Sequence, residues 1–245
     1  MILLGITGAI GHGKTTLAEA LQSVEPDTLH LETGMLVAEV ANRLRTDNPV
    51  PTSCELSAVN AWLRPLPEHI TELLHTSVQA SRLKLHKGQV RENPAMYEKL
   101  FLYIEHCRAK PALATESITP DNKQDHRALL QWLGGFLVKR VDAGIWYNEL
   151  VRRLTNAHPH LGIISGVRFP EDAQIVKSSG GYIVEVIRPN MPEADLSDPT
   201  ERERKGIYVD ITVYNDGSMK DLYNLAQKLI KDLERNAAQS NYRAA

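Results

Sequence analysis

The sequence predicts an α/β fold in which a mostly parallel five-stranded sheet lies between two layers of helices. Five short apolar segments have the composition of buried strands, and helical patterns separate them. Strands that alternate with helices form a parallel sheet, and such sheets bind ligands at the carboxyl ends of their strands. The predicted strands are 1–6, 28–31, 161–165, 182–187 and 209–214.

The loop after the first strand is the most informative feature of the chain. Residues 8–15 read G-A-I-G-H-G-K-T and lie between the apolar strand and a helix-forming stretch. The glycines let backbone N–H groups turn toward a phosphate, and the positive end of the helix points to the same place. We therefore predict a nucleoside triphosphate site, with ATP as the cofactor. Its loop residues are Gly8, Gly11, His12, Gly13, Lys14, Thr15 and Thr16.

Two of these residues have predicted chemical roles. Lys14 is expected to reach the β- and γ-phosphates, and the Thr15 hydroxyl to ligate Mg²⁺. Many phosphate-loop enzymes also place an acidic residue at a strand end to assist Mg²⁺, but here the third strand ends in Ser165-Gly166. Glu32 or Asp142 would have to substitute, or the ion is held by Thr15, phosphates and water alone.

The remaining helical patterns predict how the domain is organised. Helices are expected over 34–45, 67–87, 94–108, 121–133, 144–154, 170–178 and 219–235, with a frayed tail after 235. The run of helices without strands predicts a helical substrate-binding insertion, 47–133. The core of a single domain would then be 1–46 and 134–245.

Composition restricts the partners. The chain has 245 residues, 42% of them hydrophobic, and a net charge of −2. That charge argues against a nucleic acid partner, so small-molecule nucleotides are expected instead. No apolar run approaches the ~20 residues that span a bilayer, and 1–4 lack the flank and length of a signal peptide. We expect a cytoplasmic protein with no membrane partner. Cys54 and Cys107 are expected to be reduced thiols. The oligomeric state stays open, and a homodimer is one of the possibilities.

A polar segment before the last strand is predicted to be a lid, 189–208. It carries Arg202 and Arg204, with Arg188 just before it. In a kinase, lid arginines neutralise the transferring phosphoryl group and help to exclude water. The alternative is that 201–204 form the solvated face of a helix.

Two further side chains are expected at the sheet edge. Glu32, at the end of the second strand, would orient an acceptor oxygen or hold Mg²⁺ through water. Its alternative is an acid near the start of the next helix, with Thr33 as the cap. Arg168 would bind an acceptor phosphate bidentately; its alternative is an ion pair with Glu171.

The helical insertion carries cationic pairs that suit an anionic acceptor. His126-Arg127 and Lys139-Arg140 flank the apolar stretch around Trp132. Trp62, Trp132 and Trp146 either stack on a base or pack in the core, with core packing favoured.

The C-terminal half resembles the deoxynucleoside monophosphate kinases of bacteriophages. The resemblance covers roughly 127–233 plus the phosphate loop, and it rests on the segments 127–134, 167–170, 180–189 and 215–218 with Trp146 and Asp210. It implies a P-loop kinase fold with a nucleoside monophosphate-binding insertion, a lid, and transfer of the ATP γ-phosphate to a deoxynucleoside monophosphate with Mg²⁺. Substrate contacts would come from Glu32, Arg127, Gln131, Trp132, Arg140 and Arg168, and catalytic contacts from Lys14, Glu32, Arg168, Arg202 and Arg204.

The chain departs from that family at two places, and three segments are similar to two other kinase families. Gly135-Phe136 stand where the family has an acidic residue and a threonine, and the Asp before the Val-Arg-Phe triplet is missing. The stretch 30–34 is similar to the Asp-Thr-Gly element of cytidylate kinases. Segments 5–8 and 215–218 look like dephospho-CoA kinase. Arg188, Asn215 and Gly217 are expected as further nucleotide contacts.

The expected activity is therefore phosphoryl transfer from ATP to a nucleoside or deoxynucleoside monophosphate. Dephospho-CoA kinase, or a related small-molecule kinase, is the near alternative. A nucleotide-sensing switch without catalysis is the alternative from another class, because the strand-end acid is missing. The sequence does not identify the base or sugar accepted.

Overall fold

A computed structural model describes residues 1–191 and 199–244 of the chain. Its strands form one five-stranded sheet in the order β2-β3-β1-β4-β5, and every neighbouring pair is parallel. The predicted α/β class and five-stranded parallel sheet are confirmed. The strands are β1 Ile2–Thr7, β2 Thr28–Glu32, β3 Leu161–Ser165, β4 Tyr182–Ile187 and β5 Ile211–Tyr214.

Helices lie between the strands and after the last strand. They are α1 Lys14–Val24, α2 Thr33–Asp47, α3 Leu56–Trp62, α4 Leu66–Leu74, α5 Ala80–Leu83, α6 Lys87–Glu92, α7 Pro94–Ala109, α8 Ala112–Thr115, α9 Arg127–Arg140, α10 Ile145–Ala157, α11 Pro170–Ser178, α12 Pro199–Arg204 and α13 Met219–Ala244. None of the helices in 1–191 and 199–244 combines the length and apolar character needed to cross a membrane.

Contacts divide the chain into two compact units, which we call the sheet unit and the helical unit. The sheet unit comprises Met1–Thr33 and Leu150–Ala245, and the helical unit comprises Gly34–Glu149. All five strands belong to the sheet unit. The substrate-binding role and the 47–133 bounds of the insertion stay predictions. Part of the predicted lid, 192–198, lies outside the described residues.

The sheet is covered by helices on both faces, as the alternation predicts. On one face, alternate strand residues such as Leu4 and Ile163 are fully buried with Leu17 and Leu21 of α1 and with the apolar side of α13. On the other face small residues let helices approach: a Cβ added at Gly5 would lie 3.3 Å from the Val176 side chain of α11. Such alternation follows from the two-residue period of a strand.

The register aligns the carboxyl ends of the first three strands. Ile6 lies opposite Ser165, and Ser165 lies opposite Glu32 on its other side. Residues at one level of a parallel sheet project to the same face. The side chains of Ser165 and Glu32 therefore project from the face that α1 covers.

The single helix predicted over 67–87 is wrong. The structure has α4, α5 and α6 there, and α4 stops at His75, which adopts a left-handed conformation with φ 50°. A left-handed residue ends an α-helix, and the His75 Nδ1 atom lies 3.3 Å from the buried carboxylate of Glu149. Other helix ends differ as well: α9 covers Arg127–Arg140 where the pattern predicts 121–133, α10 continues to Ala157, past 154, and α13 continues to Ala244, past 235.

Candidate phosphate-binding site

The loop between β1 and α1 depends on glycine conformations. Gly8, Gly11 and Gly13 have φ values of 144°, 82° and 96°, which L-amino acids with side chains rarely adopt. Space is restricted as well, because a Cβ on Gly8 would lie 2.5 Å from the Val186 carbonyl oxygen, and one on Gly13 would overlap the Asn215 amide. All three positions therefore favour glycine by their backbone conformation, and Gly8 and Gly13 also by lack of space.

Lys14 curls back over the loop that precedes it. Its ammonium group donates hydrogen bonds to the carbonyl oxygens of Gly8 at 2.8 Å and Ala9 at 2.9 Å. The pKa of Lys14 is lowered to about 8, chiefly by burial and also by the positive charges of Arg168 and Arg204, while the negative charge of Glu201 opposes this shift. Lys14 is thus a partly desolvated cation among other charges of the sheet unit, a setting that favours an incoming anion.

Neighbouring segments hold the loop at His12. The Arg188 backbone N–H donates to His12 Nδ1 at 3.2 Å, and the Asn215 side-chain amide donates to the His12 carbonyl at 3.0 Å. Asn215 is itself fixed by a backbone bond to Ile187 at 2.7 Å. Of the predicted nucleotide contacts, Arg188 and Asn215 therefore lie beside the loop, and Gly217 lies in the turn between Asn215 and α13.

The first turn of α1 presents the predicted metal ligand. Thr15 is exposed and Thr16 is half-buried, directly after Gly13 and Lys14 at the positive end of the helix. Within 1–191 and 199–244 there is no group of three or more His, Cys, Asp or Glu side chains that could hold a metal ion.

A polar group of side chains lies at the ends of β2 and β3. Ser165 Oγ and His30 Nε2 are 2.7 Å apart, and Glu32 lies two residues after His30 on the same face of β2. Glu32 belongs to the sheet unit together with Thr15. The Thr33 hydroxyl is buried without a hydrogen-bond partner among the described residues, so it does not form the cap bond that one interpretation required.

Arg168 lies in a turn that hydrogen bonds on both sides of it hold in place. The N–H groups of Gly166 and Val167 both donate to the Ile6 carbonyl at 3.1 Å, and Phe169 N–H donates to the buried Asp172 carboxylate at 3.3 Å. Burial raises the pKa of Asp172 to about 7, against the lowering effect of its backbone hydrogen bonds. The Arg168 side chain is exposed and makes no ion pair with Glu171, the alternative considered from sequence.

The two predicted lid arginines differ in their surroundings. The Arg204 side chain is 13% exposed and pairs with Glu185 at 2.8 Å and Glu201 at 3.1 Å. Arg202 is 60% exposed, and Glu203 lies 3.9 Å from it. The structure thus brings Arg204 into a charge cluster and leaves Arg202 facing solvent.

Within the helical unit, exposed and buried residues of α9 separate clearly. Arg127 and Gln131 are exposed one turn apart. Arg140 donates to the Tyr97 hydroxyl at 3.0 Å and lies 5.9 Å from the ring centre of Phe136. Its cationic group is therefore partly engaged inside the unit.

Two residues expected near a substrate belong to the interior instead. Trp132 is fully buried and stacks on Phe136 with ring centres 4.8 Å apart, which assigns it to core packing; Trp62 and Trp146 are buried too. His126 is also fully buried, between Tyr103 and Glu116, and burial lowers its pKa. A neutral buried imidazole does not supply the positive charge that the sequence pattern predicted.

Sequence reasoning missed three carboxylates that organise this site. Asp172, Glu185 and Glu201 each contact a functional segment of the sheet unit. The position of Asp172, three residues after Phe169 at the start of a helix, is a signal that a capping pattern offers. Asp142, named as a substitute metal ligand, accepts the Gly144 N–H at 2.8 Å within the helical unit.

The lowered pKa of Lys14 predicts how triphosphate binding depends on pH. Free Lys14 loses its proton as pH rises through about 8, and a bound phosphate favours the charged form. ATP affinity should therefore fall by up to about 10-fold per unit between pH 8 and 9.5, with proton uptake on binding. Lys14→Arg keeps its charge throughout, so its weaker binding should be independent of pH in this range. Isothermal titration calorimetry measures both, and a flat wild-type profile would contradict the role of Lys14.

Comparisons with known proteins give one partial relative. No model of a known protein family matches the chain. A segment of 99 residues, 40% of the chain, is 31% identical to a protein of Acanthamoeba polyphaga mimivirus named "Putative deoxynucleotide monophosphate kinase". The match spans about half the length of that protein, 47%. Among solved structures, the shikimate kinase of Aquifex aeolicus aligns over 97% of this chain and 99% of its own, with 12% identity and a TM-score of 0.39. The predicted resemblance to deoxynucleoside monophosphate kinases is confirmed as a sequence similarity over that segment.

Proposed function

We propose that the protein transfers the γ-phosphoryl group of ATP to a nucleoside or deoxynucleoside monophosphate. The observation that carries the proposal is the loop whose conformation depends on glycine, with the partly desolvated Lys14 at its end. Arg168 is close enough to lower the pKa of Lys14. The name of the mimivirus relative supports a monophosphate as acceptor.

In this reaction an oxygen of the acceptor phosphate attacks the γ-phosphorus of ATP. A new P–O bond forms, the bond from the γ-phosphorus to the bridging oxygen breaks, and that oxygen leaves with ADP. Lys14 would stabilise the negative charge on the transferring group, and the loop N–H groups would bind the β-phosphate. Catalysis would come from positioning and charge neutralisation, without a covalent enzyme intermediate.

The residues present fit a magnesium ion. Mg²⁺ prefers oxygen ligands and keeps several waters when it binds with nucleotide phosphates. Thr15 would supply a protein oxygen that binds Mg²⁺ directly. Glu32, on the strand face covered by α1, would accept hydrogen bonds from the waters bound to Mg²⁺. The ion would neutralise charge on the β- and γ-phosphates.

The acceptor would be held by cations. Arg168 is exposed at the carboxyl edge of the sheet, and a guanidinium matches a phosphate with two parallel hydrogen bonds. The acceptor contacts expected from the sequence at Arg127, Gln131 and Arg140 of the helical unit stay predictions. The acceptor base is assigned no stacking partner, because Trp132 is buried.

A panel of acceptors tests the proposed activity. With ATP and Mg²⁺, at least one ribo- or deoxyribonucleoside monophosphate should release ADP in a coupled assay well above the rate without acceptor. Lys14→Met should abolish this release because it removes the charge that binds the transferring group. Dephospho-CoA belongs in the same panel. If only dephospho-CoA causes ADP release, dephospho-CoA is the acceptor in place of a nucleoside monophosphate. Tight ATP binding without any transfer would favour a nucleotide-sensing switch.

Removing the charge of Glu32 tests its role toward magnesium. Glu32→Gln should raise the Mg²⁺ concentration for half-maximal ATP binding by roughly 10-fold, in line with the effect of losing a residue that orients metal ligands. Glu19→Gln, on the exposed side of α1, is the matched control and should not change it. Equilibrium binding of a fluorescent ATP analogue across an Mg²⁺ series gives the measurement. Identical curves for Glu32→Gln and the control would remove Glu32 from the magnesium site.

A further inference from the structure

The turn between β3 and α11 is fixed on the sheet just before Arg168. Gly166 has a φ of 93°, and the N–H groups of Gly166 and Val167 both donate to the Ile6 carbonyl of β1 at 3.1 Å. Val167 is buried against β1, because a Cβ added at Gly5 would lie 3.0 Å from the Val167 side chain. The backbone that leads into Arg168 is therefore attached to the central strand.

Asp172 holds the same turn just after Arg168. It lies in the first turn of α11, and its Oδ2 atom accepts the Phe169 N–H at 3.3 Å. The Arg168 N–H also forms a hydrogen bond to this carboxylate. The Phe169 carbonyl in turn accepts the Ala173 N–H at 3.2 Å, which begins the bonding of the helix. Two consecutive N–H groups, including that of Arg168 itself, therefore depend on one side chain.

The carboxylate of Asp172 is kept at a buried place, where its charge is unfavourable. Asp172 is 9% exposed, and burial raises its pKa to about 7. The hydrogen bonds from Phe169 and Arg168 and the positive charge of Arg168 favour the ionised form, whereas the negative charge of Glu171 opposes it. An exposed acid could cap the helix without this desolvation cost. Helix capping alone therefore does not account for a buried carboxylate that acts on the Arg168 backbone and charge together.

The Arg168 side chain extends from this fixed backbone toward solvent and toward the charge of Lys14. It is exposed, and its positive charge is one of the causes that lower the pKa of Lys14. A guanidinium binds a phosphate through two parallel hydrogen bonds, so the direction from which it approaches determines how well it binds. Binding groups of this kind are precise only when neighbouring groups fix them. The attachment of the turn therefore bears directly on what Arg168 can bind.

We propose that Asp172 is a positioning residue for the acceptor: its carboxylate holds the backbone of Arg168 and Phe169, and so keeps the Arg168 guanidinium where an acceptor phosphate binds near Lys14. The part that concerns the acceptor rests on the proposed function. The attachment of the turn by Asp172 is independent of it. Asp172 itself contacts neither substrate, and it acts on the reaction through Arg168.

A double-mutant cycle with Arg168 tests this role through the two KM values. Asp172→Ala should raise KM for the accepted monophosphate by about 10-fold and KM for ATP by less than about 2-fold, because it removes hydrogen bonds to a charged group beside Arg168 only. Arg168→Gln should raise the acceptor KM by about 30-fold or more. In the Arg168→Gln background, Asp172→Ala should add less than about 2-fold, because both changes remove one interaction.

Two further variants complete the kinetic test. Asp172→Asn keeps an oxygen that accepts N–H groups, so its acceptor KM should stay within about 3-fold of the wild type. Glu171→Gln removes the exposed acid next to Asp172 and is the matched control, with an acceptor KM expected within about 2-fold of the wild type. If Asp172→Ala does not fold, Asp172→Leu fills the space without an acceptor oxygen and should behave as predicted for Asp172→Ala.

Three kinetic results would overturn the positioning role. The first is an unchanged acceptor KM in Asp172→Ala or Asp172→Leu, and the second is an equal rise of both KM values. The third is a full 10-fold effect of Asp172→Ala in the Arg168→Gln background, about as large as in the wild type, because independent sites contribute additively to the free energy of binding.

Hydrogen exchange tests the attachment of the turn whether or not the protein transfers phosphate. Asp172→Ala should increase the exchange of the Arg168 and Phe169 amides by about 10-fold, and Asp172→Asn by less than about 3-fold, since the amide oxygen still accepts a hydrogen bond. Unchanged exchange in Asp172→Ala overturns the attachment. If the wild type transfers no phosphate to any monophosphate while exchange rises in Asp172→Ala, the proposed function and the acceptor role of Arg168 are wrong and the attachment is confirmed.

Discussion

The close approach of Gly8 to the backbone of β4 is the constraint on which the site depends. No side chain fits at this point, because a Cβ would lie 2.5 Å from the Val186 carbonyl oxygen. The chain can therefore reverse directly at the end of β1, and its Gly8 and Ala9 carbonyls become the acceptors for Lys14. The following turn is held through His12. A change in the Gly8 turn would thus alter the position of Lys14 and of the helix end that follows it.

Positive and negative side chains around Lys14 partly balance one another. Lys14 is desolvated and close to the cations Arg168 and Arg204, an arrangement that costs energy in the absence of a bound anion. Glu201 reduces this cost, and together with Glu185 it balances Arg204. A polyphosphate would relieve the remaining repulsion. These charges would therefore favour a phosphate at the proposed site.

Features that depend on adjacent residues could be predicted from the sequence, and features that depend on distant ones could not. The strand, glycine loop and helix around Lys14 form a local pattern, so both fold class and phosphate loop follow from it. The pairing of Arg204 with Glu185 joins residues 19 positions apart, and the burial of Trp132 and His126 depends on packing that helical periodicity does not specify. The break at His75 was missed because a left-handed histidine leaves no signal in an apolar pattern.

ATP binding by a Gly8→Ala protein is the most direct measurement on this account. The matched control is Gly88→Ala, because a Cβ at Gly88 meets nothing within 4 Å. By equilibrium dialysis with Mg²⁺ and labelled ATP, Gly88→Ala should bind like the wild type. Gly8→Ala, confirmed as folded by its circular dichroism spectrum, should bind at least about 10-fold more weakly, since its loop must shift to relieve contact with a backbone oxygen. Wild-type ATP affinity in a folded Gly8→Ala protein would contradict the account.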